Sequence, residues 1–208
     1  MVCIENVSKE FRKNTVLEQI NLEMKNGKIY GLVGRNGSGK TVLIKMIAGL
    51  CEPSEGEIFI DGEKRKKGSF AKSLGLVCDS IGFMPMYSAY ENLYQLAKIN
   101  HLIGENEINE ILDIVGLDYK SNKPYCKFSL GMKQKLAIAQ AFMEKPALLL
   151  LDEPFNGLDE ESVKEMQQFF RKYVDENNAI MLITSHHRED IDDLVNEIFQ
   201  IKNGRMKG

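Results

Sequence analysis

Hydrophobic and polar positions fall in short blocks, and the period of the blocks changes along the chain. Val2–Val7 and Leu17–Met24 mix apolar and polar residues in the near-alternation of half-buried strands. Lys25-Asn26-Gly27 is a turn, and the apolar strand Ile29-Tyr30-Gly31-Leu32-Val33 follows it. Val42–Leu50 is apolar at helical spacing and stops before Pro53. Glu57–Ile60 reads as a strand closed by Asp61-Gly62, residues 63–73 as a basic irregular stretch, and Leu74–Cys78 as a strand. From about Tyr87 to Phe128 the period turns helical, with helices expected over Ala89–Asn100 and Glu105–Val115 and a third over Gly131–Met143. Then come a strand Ala147–Asp152 between two prolines, an amphipathic helix Glu161–Glu176, a strand Ile180–Thr184, a helix Arg188–Val195 and a last strand Ile198–Ile201. Strands alternating with helices imply an α/β protein with a mainly parallel sheet covered on both faces. The helical stretch in the middle reads as an inserted subdomain.

Composition narrows this picture. The 208 residues make one domain, or one domain with a subdomain. No apolar run approaches the ~18–20 residues that cross a bilayer, and the polar, acidic N-terminal stretch is not a secretory signal. With 27 Lys+Arg against 30 Asp+Glu the net charge is -3, so the chain lacks a global basic footprint and no nucleic-acid partner is expected. Cys3, Cys51, Cys78 and Cys126 are far apart and show no CxxC spacing. They read as reduced, mostly packed thiols of a cytosolic protein rather than zinc ligands or a disulfide framework. The basic run Lys64–Lys67 reads as a solvated loop.

Two motifs carry chemistry. Gly34-Arg35-Asn36-Gly37-Ser38-Gly39-Lys40-Thr41 matches the phosphate-loop pattern at every fixed position, with a strand before it and a helix after it. The glycines let backbone N–H groups point at phosphate oxygens, and the helix N-terminus adds partial positive charge. Lys40 is long enough to reach β- and γ-phosphates, and the Thr41 hydroxyl can ligate Mg²⁺. The second motif, Leu148-Leu149-Leu150-Leu151-Asp152-Glu153-Pro154, is a buried strand with two acids at its carboxyl end, where ligands bind in such sheets. Asp152 is placed to hold Mg²⁺ and Glu153 to orient or deprotonate an attacking water.

With these motifs in place the sequence resembles the nucleotide-binding subunit of an ABC transporter over nearly its whole length. Phe128-Ser129-Leu130-Gly131-Met132 stands at the family's signature, followed by Lys133-Gln134-Lys135; Asn156-Gly157-Leu158-Asp159 resembles the D-loop, and His186 the switch histidine. Phe11 stands where the family stacks an aromatic ring on adenine. The resemblance implies that ATP is bound by Phe11, Gly34, Asn36, Gly37, Ser38, Gly39, Lys40, Thr41 and Val42 of one subunit. Ser129, Gly131 and Asp159 of a second, head-to-tail subunit complete the site. It implies Glu153, His186 and Lys40 as catalytic residues and Thr41, Asp152 and Asp79 around Mg²⁺. His187 and His101 are read as surface residues.

Two departures stand out. Asp79 takes the place of the family's Gln, unless the correspondence is shifted by one or two residues, and Leu130 and Met132 replace the usual Gly and Gln of the signature. Ser-Leu-Gly-Met with an acid at the Gln position resembles peptide-export and antibiotic-resistance members. Met84, Met86 and Tyr87 fit either a core gap or, by resemblance, a groove for a helix of the membrane subunit. The implied fold is a P-loop NTPase core, about 1–79 and 144–208, with a small N-terminal antiparallel β layer and a helical subdomain over about 80–143. The implied function is ATP hydrolysis that powers a separate integral membrane permease from its cytoplasmic face through dimer closure. A soluble ABC ATPase of a cofactor- or complex-assembly machine is the alternative. The short C-terminus leaves no room for an added regulatory domain.

Overall fold

Apolar residues that alternate within strands need two hydrophobic layers to bury them, and the chain supplies both. A computed structural model describes residues 1–12, 14–78, 82–186 and 188–207. In chain order the elements are β1 (Val2–Phe11), β2 (Asn14–Met24), β3 (Lys28–Val33), α1 (Lys40–Ala48), β4 (Glu55–Ile60) and β5 (Glu63–Lys64). They continue with β6 (Leu74–Val77), α2 (Ala89–Asn100), α3 (Glu105–Ile114), α4 (Leu130–Phe142) and β7 (Leu148–Asp152). The last are α5 (Glu160–Asn177), β8 (Ile180–Ser185), β9 (Glu197–Lys202) and β10 (Arg205–Lys207).

The central sheet has the order β10-β9-β3-β8-β7-β6, with β3, β6, β7, β8 and β9 parallel and only β10 antiparallel at one edge. A second, antiparallel sheet runs β2-β1-β4-β5. Successive residues of the central strands point to opposite faces. Tyr30, Leu32, Leu148, Leu150, Ile180 and Leu182 join the core shared with α1 and the antiparallel sheet. Ile29, Val33, Leu149, Leu151, Met181 and Ile183 join the core shared with α2–α5.

Helix starts follow their side chains. Ser88 and Glu91 form a capping box at α2: the Ser88 hydroxyl accepts from the Glu91 N–H at 3.2 Å, and the Glu91 carboxylate accepts from the Ser88 N–H at 2.7 Å. Ser129 caps α4 and Asp159 caps α5 more simply, each side chain accepting from the N–H three residues on.

Three readings need correction. Arg188–Val195 is not a helix: only Arg188–Asp190 makes a 3-10 turn, and the segment continues as turns that drop Ile191 and Leu194 into the core. The basic run is not simply solvated, because the Arg65 side chain is 4% exposed and holds both carboxylate oxygens of Glu52. Met84 and Met86 do not fill a core gap; both are exposed. Buried Asn92 fixes their loop, accepting from the Met84 N–H and donating to the Ser88 carbonyl.

Candidate active site

Sheet order converges the motifs. β8 lies between β3 and β7, so the phosphate loop after β3, the acids ending β7 and His186 after β8 meet at one carboxyl edge. They line a cleft of about 430 Å³ with Val16, Arg35, Asn36, Gly37, Ser38, Gly39, Lys40, Thr41, Val42, Asp152, Glu153, Asn156 and His186.

The loop has the form of an anion cradle. Gly37 and Gly39 adopt φ of 75° and 107°, conformations that L side chains rarely take. A Cβ on Gly34 would lie 2.6 Å from the Ile201 carbonyl oxygen, and one on Gly39 would lie 2.5 Å from Leu17 Cδ2, so both positions also lack room. Gly39 caps α1 with no side-chain hydrogen bond, which leaves the first N–H groups of the helix without a capping partner. The buried Ser38 Oγ has no hydrogen-bond partner among the described residues. A buried orphan hydroxyl beside uncapped N–H groups fits a phosphate.

Across the cleft, Asp152 is 6% exposed and fully engaged. Its Oδ2 accepts from the Thr41 hydroxyl at 2.6 Å, and its Oδ1 accepts from the Thr184 hydroxyl at 2.5 Å. The same Thr184 oxygen accepts from the Glu153 N–H at 2.9 Å, so one hydroxyl fixes both acids. Glu153 sits at φ 49°, in the left-handed region. Its Oε1 lies 3.3 Å from Lys40 Nζ and its Oε2 2.9 Å from His186 Nδ1. Lys40 Nζ also donates to the Gly34 carbonyl at 2.7 Å. Cation, carboxylate and imidazole thus form one connected row.

The other candidates lie elsewhere. Ser129, Gly131 and Asp159 line a separate hollow of about 390 Å³ with Lys135 and Gly157. Ser129 Oγ accepts from the Met132 N–H at 3.2 Å. Asp159 accepts from the Ser162 N–H at 2.8 Å, and hydrogen bonds from Ser162 hold its carboxyl below the usual carboxylate range. Phe11 is exposed near the end of the antiparallel sheet, with Lys9 Nζ 4.7 Å from its ring centre, and does not line the cleft; Val16 does. Asp79 and His187 lie outside the described residues. A larger hollow of about 630 Å³ beside α3 and α5 contains none of the candidate residues.

Two residues of the site had no role in the sequence reading. Thr184 is signalled only as a hydroxyl ending an apolar strand. Gln134 is signalled only as part of the run after the signature: its Nε2 donates to the Pro154 carbonyl at 2.9 Å and the Glu153 carbonyl at 3.4 Å from α4.

A phosphate cradle between strand and helix, facing two acids at the end of a parallel strand one place removed in the sheet, defines a P-loop nucleotide hydrolase. Comparison makes the family specific: an ABC transporter family profile matches residues 17–156, and the chain belongs to that family. It is 42% identical over 208 residues to the uncharacterized ABC transporter ATP-binding protein YybJ of Bacillus subtilis (strain 168), covering 100% of this chain and 95% of that protein. It is 39% identical over 203 residues to the bacitracin transport ATP-binding protein BcrA of Bacillus licheniformis, spanning 97% of this chain and 66% of that one. Identity is 33% over 206 residues to the lantibiotic transport ATP-binding protein SrtF of Streptococcus pyogenes, over 99% of this chain and 89% of that one. The dimeric post-hydrolysis structure of the ATP-binding cassette MJ0796 bound to ADP and Pi superposes with a TM-score of 0.89 at 25% identity, over 100% of this chain and 97% of that one. The chain is an ATP-binding, ATP-hydrolysing transporter subunit. The relatives do not favour the soluble assembly ATPase.

Proposed function

We propose that this chain hydrolyses ATP by in-line attack of water on the γ-phosphorus, driving closure of a head-to-tail dimer beneath a separate permease. The observation that carries the reading is the row Lys40–Glu153–His186 at the mouth of the phosphate cradle. Backbone N–H groups of residues 36–41 and the Ser38 hydroxyl hold the phosphates, and Lys40 moves its charge from Glu153 to the β- and γ-phosphates. Glu153 then takes the proton of the attacking water, and His186 orients that water or donates to the γ-phosphate. ADP and phosphate are the products. The Thr41 hydroxyl and Asp152 carboxylate form an oxygen pair suited to Mg²⁺, which binds through one or two protein oxygens together with phosphates. When bound, Mg²⁺ neutralises charge on the phosphate oxygens. Phe11 lies outside the cleft lining, and its role as adenine platform rests on the family resemblance and on its exposed ring.

The separation of Ser129 and Gly131 from the cradle supports a dimer in which each chain supplies its α4 start to its partner's ATP. The solved dimeric cassettes have this chain's fold. Among the described residues no helix is long and apolar enough to cross a membrane, which fits a peripheral subunit beside a permease. Exposed Met84 and Met86 offer that permease an adaptable apolar contact. Peptide antibiotics are the cargo class, on the likeness to the bacitracin and lantibiotic transport proteins.

Glu153→Gln tests the mechanism. It is expected to bind ATP, lose about 10²–10³ in turnover and accumulate as an ATP-bound dimer in size-exclusion chromatography with light scattering. Normal turnover by that variant would remove Glu153 from the base role.

A further inference from the structure

Glu153 is asked to hold a carboxylate at a fixed point, yet its backbone is in a conformation unfavourable for a residue with a side chain. Its φ of 49° costs roughly 1–2 kcal/mol relative to ordinary strand geometry. Such a turn persists only when its surroundings over-determine it. Its N–H side is held by Thr184, at the end of β8. Its carbonyl accepts from the Asn156 N–H at 3.2 Å. The half-buried side-chain amide of Gln134 adds a second donor to that carbonyl at 3.4 Å and holds the next one, at Pro154, at 2.9 Å.

Gln134 belongs to a different part of the molecule. It lies on α4, one turn beyond Leu130 and Gly131 and on the same helix face. That face is keyed to the turn after Glu153. A Cβ on Gly131 would sit 2.7 Å from the Gly157 carbonyl oxygen, and one on Gly157 would sit 2.6 Å from Leu130 side-chain atoms. Close backbone approach at residues 131 and 157 and two hydrogen bonds at residue 134 therefore fasten α4 to residues 153–157. Gln134 and Glu153 also share a wall of the hollow between α4 and the end of β7.

We propose that Gln134 is a positioning residue for Glu153: by donating to the Glu153 and Pro154 carbonyls it fixes the left-handed turn that aims the carboxylate at Lys40 and His186. The base is then in register only when α4 is seated, so the helix that opens with Ser129 and Gly131 governs hydrolysis within its own chain as well. This rests on the assignment of Glu153 as the base.

The test compares turnover and ATP affinity of the full chain with those of Gln134→Met, Gln134→Glu and Gln134→Lys, using MgATP for both. Q134M keeps the length and removes the donor. It is expected to lose about tenfold in kcat while its Kd for MgATP changes by less than about twofold. Q134K restores N–H donors to the two carbonyls and is expected to recover most of the loss. The proposal is overturned if Q134M turns over at the wild-type rate, if its affinity falls in step with its rate, or if Q134K is no better than Q134M. Should circular dichroism show Q134M unfolded, Q134E, which turns an acceptor toward two acceptors, is read by the same comparison; loss of fold in both would make Gln134 a structural residue and equally overturn the proposal. Glu153→Gln run alongside separates the two failures. An active E153Q removes the base assignment, whereas an inactive E153Q with wild-type Q134M removes only the role of Gln134.

Discussion

The Glu153 carboxylate divides its two oxygens between a lysine and a histidine: Oε1 is 3.3 Å from Lys40 Nζ and Oε2 is 2.9 Å from His186 Nδ1. Lys40 is 6% exposed and His186 36% exposed, so the row runs from the buried cradle out to the mouth of the cleft. Removing the imidazole leaves Glu153 attached to Lys40 and to its backbone anchors. His186→Ala is therefore expected to lower turnover by about 10–100-fold, less than Glu153→Gln, with MgATP affinity retained. Steady-state kinetics with a binding titration checks this; a parallel fall in affinity would place His186 in binding instead.

Two loop glycines separate backbone strain from lack of space. A Cβ on Gly37 meets nothing within 4 Å, whereas on Gly39 it meets Leu17 Cδ2 at 2.5 Å. Gly37→Ala should cost about 1 kcal/mol of stability, the left-handed penalty alone. Gly39→Ala should cost more, by a further ~1–3 kcal/mol of overpacking, because Leu17 is fully buried and cannot swing away. Urea melts of the two variants give the comparison. Equal losses would mean that β2 yields at Leu17.

Ser129 has a local role and a proposed distant one. Ser129→Ala removes the α4 cap at a cost of about 1 kcal/mol. Its distance from the cradle means that MgATP affinity of the single chain should be unchanged. The ATP-dependent dimer of the E153Q background should be lost. Light scattering on E153Q with and without Ser129→Ala reads this, and a dimer that survives would place the partner's contact elsewhere.

Acid sensitivity should appear at the loop after β5. Hydrogen bonds from Arg65, and then from the Gly68 N–H, hold the Glu52 carboxyl below its ordinary value of 4.5. A depressed folded value means that the contribution is present above the unfolded value and is lost as pH falls through the folded one. Glu52→Gln should therefore melt below wild type at neutral pH, since it unpairs an Arg65 side chain that is 4% exposed. The gap should close as the buffer is taken well below pH 4.5. A gap that stays constant with pH would mean that charge is not what holds the loop.

The permease reading has its own check. Tagged chain recovered from detergent-solubilised native membranes should bring a polytopic membrane protein in stoichiometric amount. Met86→Glu, which places a charge on an exposed apolar contact, should reduce that recovery. Recovery of a soluble partner alone would leave the ATPase standing and overturn transport.

Much of this was legible along the chain. Helix α2 begins and ends where its period indicates, and β7 and β8 are apolar runs bounded by proline or polar residues. The Arg188–Val195 segment misled because Ile191 and Leu194 keep a helix-like spacing although their burial is satisfied by successive turns. Edge strand β10 left no signal, since three residues of mixed polarity become a strand only by pairing with β9.

By itself the sequence determined the chemistry on offer: a glycine loop that only φ-permissive residues can form, two acids after an apolar strand, and a Ser cap opening a helix. Those are local properties, fixed by backbone sterics and by residues a few positions apart. Tertiary structure decided which of them meet. Thr41 reaches Asp152 across 111 positions, Thr184 bridges Asp152 and Glu153, and Gln134 grips the Glu153 turn from another helix. Such contacts depend on the order β3-β8-β7 and on how α4 seats against it, and that order is set by burying both faces of the sheet at once.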